Sequence, residues 1–310
     1  MSKGGTVPVT AAAYRAVTRE LLVRYLDACA PPLLHRARGL AYAQGYGSAE
    51  QEPTALAALR TLAEFADRFA TRRLDVVLLD DDPGRLAALA DRIGTAAVGL
   101  GLPARVHPGT GGLAATLRAA GVPRVPVLAF LDATGGAAPD PADLAAVGAN
   151  PAGDALILLD RAAAPPDYRE TLHAAGFTLV THVDMVERDG PEVAVYFGTS
   201  TDRHLDAVKD ALWALDEYAG VRYREPGDPE RTAVDISLSP NVGPLRRELV
   251  AWLGTAGPST VAALRGWTRT RTVYRAADAN RALGLLLTAG TVRREPEHGR
   301  LSADTVIRTG

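Results

Sequence analysis

Residues 76–89 read VVLLDDDPGRLAAL, an apolar run that ends in three acids and a proline and continues as an amphipathic pattern. The apolar run predicts a strand buried on both faces, as in a parallel sheet, and the following pattern predicts a helix. An acid at the carboxyl end of such a strand can accept hydrogen bonds from the hydroxyls of a ribose. Asp80 is therefore our first candidate for a ligand contact.

The same acids also have a purely structural interpretation. Asp81 or Asp82 would cap the helix, and Pro83 would occupy its first turn. Three consecutive acids exceed what a cap needs, so the segment can serve both purposes.

Length and composition indicate a core-forming chain of one large and one small domain. Of its 310 residues, 47% are hydrophobic and 23% are charged, which excludes wholesale disorder. The single cysteine, Cys29, excludes an internal disulfide and a zinc cluster of cysteines. The six histidines show no metal-ligand spacing, so no metal site is predicted. With neither a signal segment nor a membrane-spanning apolar run, a cytoplasmic protein is expected.

The formal net charge of −2 conceals an asymmetry. Residues 241–310 hold 11 arginines and 5 acids, an excess of +6 that leaves −8 for residues 1–240. A basic end on an acidic body favours contact with nucleic acid or with an acidic protein surface.

Strand and helix patterns alternate through the first half of the chain. An amphipathic pattern over 10–30 predicts a first helix that Pro31-Pro32 should end. Five strands are predicted at 40–47, 74–80, 104–108, 126–132 and 154–160. Helices are predicted at 53–72, 83–97, 111–120, 141–148 and 166–175. This alternation predicts an α/β fold with a doubly wound parallel sheet.

Two β-rich runs then meet at Asp189-Gly190, a dipeptide typical of tight hairpins. A parallel sheet that finishes in an antiparallel hairpin is the layout of the class I methyltransferase fold, a Rossmann-like architecture. A helix at 204–218 and two more β-rich runs follow. We therefore expect one domain over 1–240, with about seven strands and the hairpin as its antiparallel edge.

Residues 241–310 show three short helical patterns followed by a hairpin, which predicts a winged helix-turn-helix module. Ser259 and Thr260 offer a cap for its second helix. An arginine-rich face is expected to contact nucleic acid or a partner, through Arg265, Trp267, Arg269, Arg271, Arg275 and Arg281. Alternatively, Trp267 packs against arginine stems, and the basic face packs on the acidic body.

Several short sequence blocks occur in the same order as in a known protein family. They are YAQGYGSAE (42–50), PTALAAL (53–59), Asp80, FLDATG (130–135), VYFGT (195–199) and VKDALW (208–213). In these blocks, from about residue 19 to 290, the chain resembles the three-Cys-motif partner protein family. Proteins of that family have a methyltransferase-like domain and are encoded beside a cysteine-motif protein that resembles radical-SAM enzymes.

The resemblance implies a site for S-adenosylmethionine. The cofactor would lie over Gly45, Gly47 and Asp80, and Gln44 stands where the family has an aspartate. Asp132 would be the catalytic residue at the floor of the acceptor site. The implied partners are a radical-SAM-like three-Cys-motif protein and, through the basic module, nucleic acid.

The chain departs from the family pattern at both edges of this site. Glu50 replaces a glycine and would repel the methionyl carboxylate. Ala133 and Thr134 replace the proline and phenylalanine that follow the family's aspartate. In amino-group methyltransferases an Asp/Asn-Pro-Pro-aromatic motif at this edge holds the amine, and this chain cannot hold an amine in that way. The sequence therefore predicts impaired catalysis; the alternative is a non-catalytic scaffold acting through the basic module.

Overall fold

A nine-stranded mixed sheet forms the centre of the protein in a computed structural model. The structure describes residues 11–46, 51–122, 125–150, 152–187, 192–215, 221–224, 226, 233–234 and 240–310. The strands of the large sheet are β1 (Gly39–Gly45), β2 (Arg73–Leu79), β3 (Ala104–Gly109), β4 (Val127–Asp132), β5 (Gly153–Asp160), β6 (Leu179–Glu187), β7 (Glu192–Thr199), β8 (Val221–Arg224) and β9 (Ala233–Val234). Their order across the sheet is β3-β2-β1-β4-β5-β7-β6-β8-β9.

The first five strands are parallel to one another, and the later strands pair antiparallel. The five predicted strands and their parallel direction are confirmed. An antiparallel β7 inserted between β5 and β6 gives the methyltransferase-like arrangement that the hairpin pattern predicts. The turn at Asp189-Gly190 lies outside the described residues.

Helices cover both faces of the sheet. They are α1 (Ala11–Arg36), α2 (Gln51–Ala63), α3 (Ala66–Phe69), α4 (Pro83–Gly99), α5 (Leu113–Ala119), α6 (Pro141–Gly148), α7 (Tyr168–Ala174) and α8 (Asp202–Leu215). Alternate residues of a strand point to opposite faces. Leu78 thus joins the core under α1, α2, α4 and α8, whereas Val77 joins the core under α5, α6 and α7.

Two sequence-based expectations about element boundaries are wrong. Pro31 and Pro32 do not end the first helix, which continues to Arg36. Leu34, in the extra turn, is fully buried in the core, and this burial favours continuation over the local cost of the prolines. The pattern over 53–72 forms two helices, α2 and α3, separated by a turn.

The hairpin does not form the edge of the sheet. β6 pairs with β7 on one side and with β8 on the other, and β9 extends the sheet once more. The sheet therefore has nine strands instead of about seven, because the β-rich runs after α8 fold back onto the hairpin.

The C-terminal segment contains three helices and a small sheet. Its elements are α9 (Gly243–Ala256), β10 (Ser259–Thr260), α10 (Val261–Arg271), α11 (Ala276–Thr288), β11 (Val292–Glu295) and β12 (Val306–Thr309). The strands are ordered β10-β12-β11 and pair antiparallel. Thr260 caps α10 by accepting a hydrogen bond from the Ala263 amide at 3.1 Å, as the sequence predicts. Among the described residues, no helix is both long and apolar enough to cross a membrane.

The C-terminal segment packs directly on α8. The Trp213 indole donates to the Val273 carbonyl at 3.1 Å, and its ring lies 5.7 Å from that of Tyr274. The buried Lys209 ammonium donates to the Thr272 carbonyl. One of the two lysines in the chain therefore joins α8 to the loop between α10 and α11.

Candidate functional site

A cleft of about 690 Å³ opens at the carboxyl ends of the parallel strands. Residues at or after the end of each of the first five strands line it, among them Tyr46, Asp80, Gly109, Ala133 and Tyr168. The strand order reverses between β1 and β4, and α/β sheets bind ligands in the crevice at such a switch point. The cleft is therefore the candidate site for a ligand.

Asp80 lies on this cleft, but its carboxylate already has partners. Arg85, on α4, donates from Nη2 to one oxygen at 2.7 Å and from Nε to the other at 3.3 Å. The Asp82 amide also donates to Asp80, at 2.8 Å. A ribose that binds both oxygens must therefore displace the Arg85 guanidinium.

Asp82 takes the capping role in the triplet of acids. Its side chain accepts from the Arg85 amide at 2.8 Å, and Pro83 follows in the first turn of α4. This hydrogen bond lowers the pKa of the Asp82 carboxyl. Because the cap falls to Asp82, Asp80 and Asp81 can both line the cleft.

Tyr46 lines the cleft directly after β1. Its φ of 75° lies in the left-handed region, which side chains other than glycine rarely adopt. Its hydroxyl donates to Asp143 at 2.8 Å, and the same carboxylate accepts from the Ala114 amide at 2.8 Å. Asp143, on α6, thus fixes both the β1 loop and the start of α5. Strained backbone of this kind is typical of functional sites.

The predicted cofactor residues on β1 have packing roles. Gln44 is buried: its carbonyl accepts from the Tyr42 hydroxyl at 2.5 Å and its amide donates to the Gln51 carbonyl at 2.7 Å. It is not among the described residues that line the cleft. A Cβ on Gly45 would lie 2.9 Å from the Leu79 Cβ, so close packing of β1 on β2 requires glycine there. Gly47 and Glu50 lie outside the described residues.

Two buried polar atoms on residues that line the cleft lack hydrogen-bond partners. They are Oε1 of Gln51, whose amide nitrogen donates to the Leu79 carbonyl at 3.0 Å, and the hydroxyl of Tyr168. Both side chains are at least 95% buried. Burial raises the pKa of the Tyr168 hydroxyl, so the group is a neutral phenol. Unpartnered buried polar groups are rare, and here they lie where a bound ligand would meet them.

Asp132, the predicted catalytic residue, does not line the described part of the cleft. Its carboxylate accepts from the Thr134 hydroxyl at 2.6 Å and from the Thr134 amide at 3.2 Å. Thr134 in turn lies 3.1 Å from the Tyr14 hydroxyl of α1. Burial raises the pKa of the Asp132 carboxyl, although the Thr134 hydrogen bonds oppose that shift. Among these neighbours, Ala133 faces the cleft instead.

A glycine-rich turn, residues 109–112, joins β3 to α5, and such a turn before a helix can also hold a phosphate. Gly109 and Gly112 line the cleft, and Gly112 has a φ of 84° immediately before α5. The Ala114 amide at the helix start is taken by Asp143. The positive φ supports the structural interpretation, a strand-to-helix turn.

The arginines of the C-terminal segment are largely engaged within the protein. Arg269 pairs with Asp202 at 2.7 Å and Asp206 at 3.3 Å, both on α8. Arg275 lies 4.8 Å from the Trp213 ring centroid and pairs with Asp278 at 3.1 Å. Acids of the body therefore hold part of the basic face.

The remaining residues of the predicted face differ in exposure. Arg265 donates to Asn280 at 2.8 Å, and Arg281 to the Pro240 carbonyl at 3.4 Å. Trp267 is half-buried, and its ring lies 5.9 Å from that of Trp252. Arg271 is exposed.

Sequence reasoning missed Gln51, Tyr168, Asp140 and Arg85 as residues of the cleft. Tyr168 follows β5 after a seven-residue connection and reaches the cleft only through the packing of α7, so no local motif marks it. Arg85 does carry a local signal. It lies five residues after Asp80, in the first turn of a helix that starts close to the strand end.

Comparisons with known proteins return only distant similarities. No family model matches the chain, and no curated protein matches it. The METTL16 MTase domain matches with 12% identity over 58% of this chain and 66% of its own, at a TM-score of 0.37. A predicted O-methyltransferase, Atu636 from Agrobacterium tumefaciens, matches with 13% identity over 59% and 81%, at 0.33.

EvdMO1 matches with 14% identity over 58% of this chain, at a TM-score of 0.35. The chain spans 40% of the length of EvdMO1. The methyltransferase-like fold is defined here by the order and direction of the strands, and the three-Cys-motif resemblance stays a hypothesis.

Proposed function

We propose that the cleft binds the adenosyl part of S-adenosylmethionine. The observation that carries the proposal is the position of the Asp80 carboxylate, which directly follows β2 and lines the cleft at the switch point. A carboxylate there is suited to accept from ribose hydroxyls. The unpartnered Oε1 of Gln51 offers a further acceptor in the same cleft.

The role of each residue is set by its contacts. Asp80 accepts from the ribose once Arg85 moves aside. Tyr46 and Asp143 fix the wall of the cleft from the β1 side. S-Adenosylmethionine would supply an activated methyl group, so the protein would contribute mainly alignment of donor and acceptor.

We further propose that this chain alone transfers methyl groups poorly, as a divergent relative of the three-Cys-motif partner proteins. The Asp132 carboxylate accepts from the Thr134 hydroxyl and does not line the described cleft, and Ala133 offers no polar group to an acceptor. A radical-SAM-like three-Cys-motif protein is the partner that the family resemblance suggests.

Calorimetric titration of the full chain with S-adenosylmethionine and with its demethylated product tests the proposal. Binding of either compound, weakened by Asp80→Ala and not by Asp91→Ala on the exposed side of α4, supports it. The absence of binding of both compounds at millimolar concentration would refute it.

The C-terminal segment supports a second candidate function. The order helix, strand, helix, helix, strand, strand is that of a winged helix, and we propose that the segment is one. Arg271 is exposed at the end of α10 and is suited to contact a phosphate. Residues of α8 contact Arg269 and Arg275, so few arginines of this face remain to bind nucleic acid. The alternative ligand of the face is an acidic protein.

A further inference from the structure

The described lining of the cleft is acidic. Asp80, Asp81 and Asp140 contribute three carboxylates, and Arg85 is the one cation among these described residues. Arg85 is already paired with Asp80 at 2.7 Å and lies 3.7 Å from Asp82. Its charge is therefore compensated, and the field inside the cleft favours a positively charged ligand.

The hydrogen-bonding capacity of the cleft points the same way. Oε1 of Gln51 can only accept a hydrogen bond, and the Tyr168 hydroxyl can accept one. Leaving such a buried group unpaired costs about 1–3 kcal/mol. A ligand that donates hydrogen bonds therefore recovers free energy at both positions.

Three residues of the cleft lining combine these features. Tyr46 is 39% exposed, and its hydroxyl donates at 2.8 Å to Asp143, three residues after the Asp140 that lines the same cleft. Tyr168 lines this cleft as well, and its buried hydroxyl has no partner. An aromatic ring, a carboxylate and an unpartnered hydroxyl thus share one part of the cleft, and rings and carboxylates both attract ammonium ions.

We propose that this part of the cleft, the amine subsite of Tyr46, Asp140 and Tyr168, binds a protonated primary amine. The ammonium donates to the Tyr168 hydroxyl and to the Asp140 carboxylate, and its charge lies against the Tyr46 ring. The subsite deepens the proposed function by naming the class of second ligand, an aliphatic amine. Its role as the site of a second ligand rests on the proposed function, whereas its contacts with the amine form without an adenosyl ligand.

The test is a calorimetric titration of the full chain with spermidine at low salt, with tetraethylene glycol as a neutral probe of similar length. We expect spermidine to bind and the glycol not to bind. Tyr168→Phe keeps the ring and removes the acceptor, and we expect it to weaken spermidine binding about threefold to tenfold. Asp140→Asn removes the charge and keeps a residue that can cap α6, and a loss of about fivefold is expected.

Asp167→Asn is the matched control, because Asp167 is an exposed acid next to Tyr168 and lies outside the described cleft lining. Equal binding of spermidine and the glycol would overturn the proposal. So would a loss in Asp167→Asn as large as in Asp140→Asn, since that result indicates nonspecific attraction. Thermal unfolding of each variant verifies that it folds.

A separate titration with the demethylated cofactor distinguishes this proposal from the proposed function. If spermidine binds and the adenosyl compound does not, the amine subsite stands and the adenosyl site fails. If the adenosyl compound binds and spermidine does not, the amine subsite is refuted and the adenosyl site stands.

Discussion

Arg85 holds both carboxylate oxygens of Asp80, donating from Nη2 at 2.7 Å and from Nε at 3.3 Å. The acid that a ribose would need is thus already bound by a residue of the next helix in the chain. Affinity for an adenosyl ligand then depends on two opposing free energies. The hydrogen bonds between Asp80 and the ribose favour binding, and the displacement of Arg85 from Asp80 opposes it.

Asp80→Ala should weaken binding of an adenosyl ligand by about 1.5–3 kcal/mol, the range for hydrogen bonds to a charged group. Folding should change little, because Asp82 retains the cap of α4. Arg85→Gln should instead tighten binding, since it frees the Asp80 oxygens. Calorimetry on both variants measures these effects, and weaker binding in Arg85→Gln would mean that Arg85 contacts the ligand itself.

Methyl transfer by the purified chain should be weak or absent, because Asp132 does not line the described cleft and Ala133, which does, has no polar side chain. Asp132→Asn should leave cofactor binding unchanged, since its carboxylate contacts Thr134 and not the cleft. A radiolabelled methyl donor with protein and nucleic-acid substrates measures the transfer. Robust turnover without a partner, lost in Asp132→Asn, would contradict both statements.

The sheet was predictable because each strand carries its own local signal. The apolar run before Asp80 and the repeated alternation of strand and helix require a parallel sheet with helices on both faces. The region after α8 was not predictable in the same way. The sequence indicates that these segments are β-rich, but it does not indicate which strand they pair with. That pairing depends on the edge strand β6, which is formed only when the sheet folds.

The candidate site was predictable only where a residue ends a strand. Asp80 lies on the cleft, as expected from its place at the end of β2. Tyr168 and Asp140 reach the cleft through helix packing, so sequence patterns do not reveal them. Gln44 occupies the position of a family aspartate, yet its side chain accepts from Tyr42 and donates to the Gln51 carbonyl, because a buried polar group is satisfied by whichever partners the fold provides.

Stability should fall on mild acidification through His182. Burial lowers the pKa of His182 from its ordinary 6.5, and the bond to Asp184 at 2.9 Å only partly offsets this. As the pH falls below about 6.5, the unfolded chain takes up the proton before the folded protein does, so the free energy of unfolding decreases.

Asp184 should act at lower pH. Its burial tends to raise its pKa, but the hydrogen bond from His182 and the charge of Arg161 outweigh burial and lower it. Its contribution is present above its ordinary pKa of 3.8 and is lost as the pH falls through the lowered value. The His182 prediction is tested by urea unfolding between pH 7.5 and pH 5. The free energy of unfolding of His182→Gln should change less with pH than that of the exposed-site control His298→Gln. An equal change in both variants would mean that His182 does not cause the pH dependence.

Lys209→Met should destabilise the fold by about 1.5–3 kcal/mol, because the Thr272 carbonyl loses a charged donor while the aliphatic stem is kept. Urea unfolding measures the change, and the exposed Arg271→Met is the control. Equal stability of Lys209→Met and the wild type would mean that the cost of burying the ammonium cancels the value of its hydrogen bond.

Arg269 and Arg271 should behave differently although they are two residues apart on α10. Arg269 pairs with Asp202 and Asp206, so Arg269→Ala should lower stability and leave nucleic-acid affinity nearly unchanged. Arg271 is exposed, so Arg271→Ala should reduce any nucleic-acid affinity and lower its salt dependence by about one unit of slope.

Fluorescence anisotropy at low and moderate salt, with a duplex and a single strand, measures this difference. Base-reading donors on α11 are few, since Asn280 accepts from Arg265 and Arg281 donates to the Pro240 carbonyl. Any binding should therefore be weakly sequence-specific and should decrease steeply with salt. Tight binding that persists at high salt would require base contacts that these side chains do not offer. The absence of binding at low salt would mean that this basic face does not bind nucleic acid, and that it contacts the acids of α8 or an acidic protein partner.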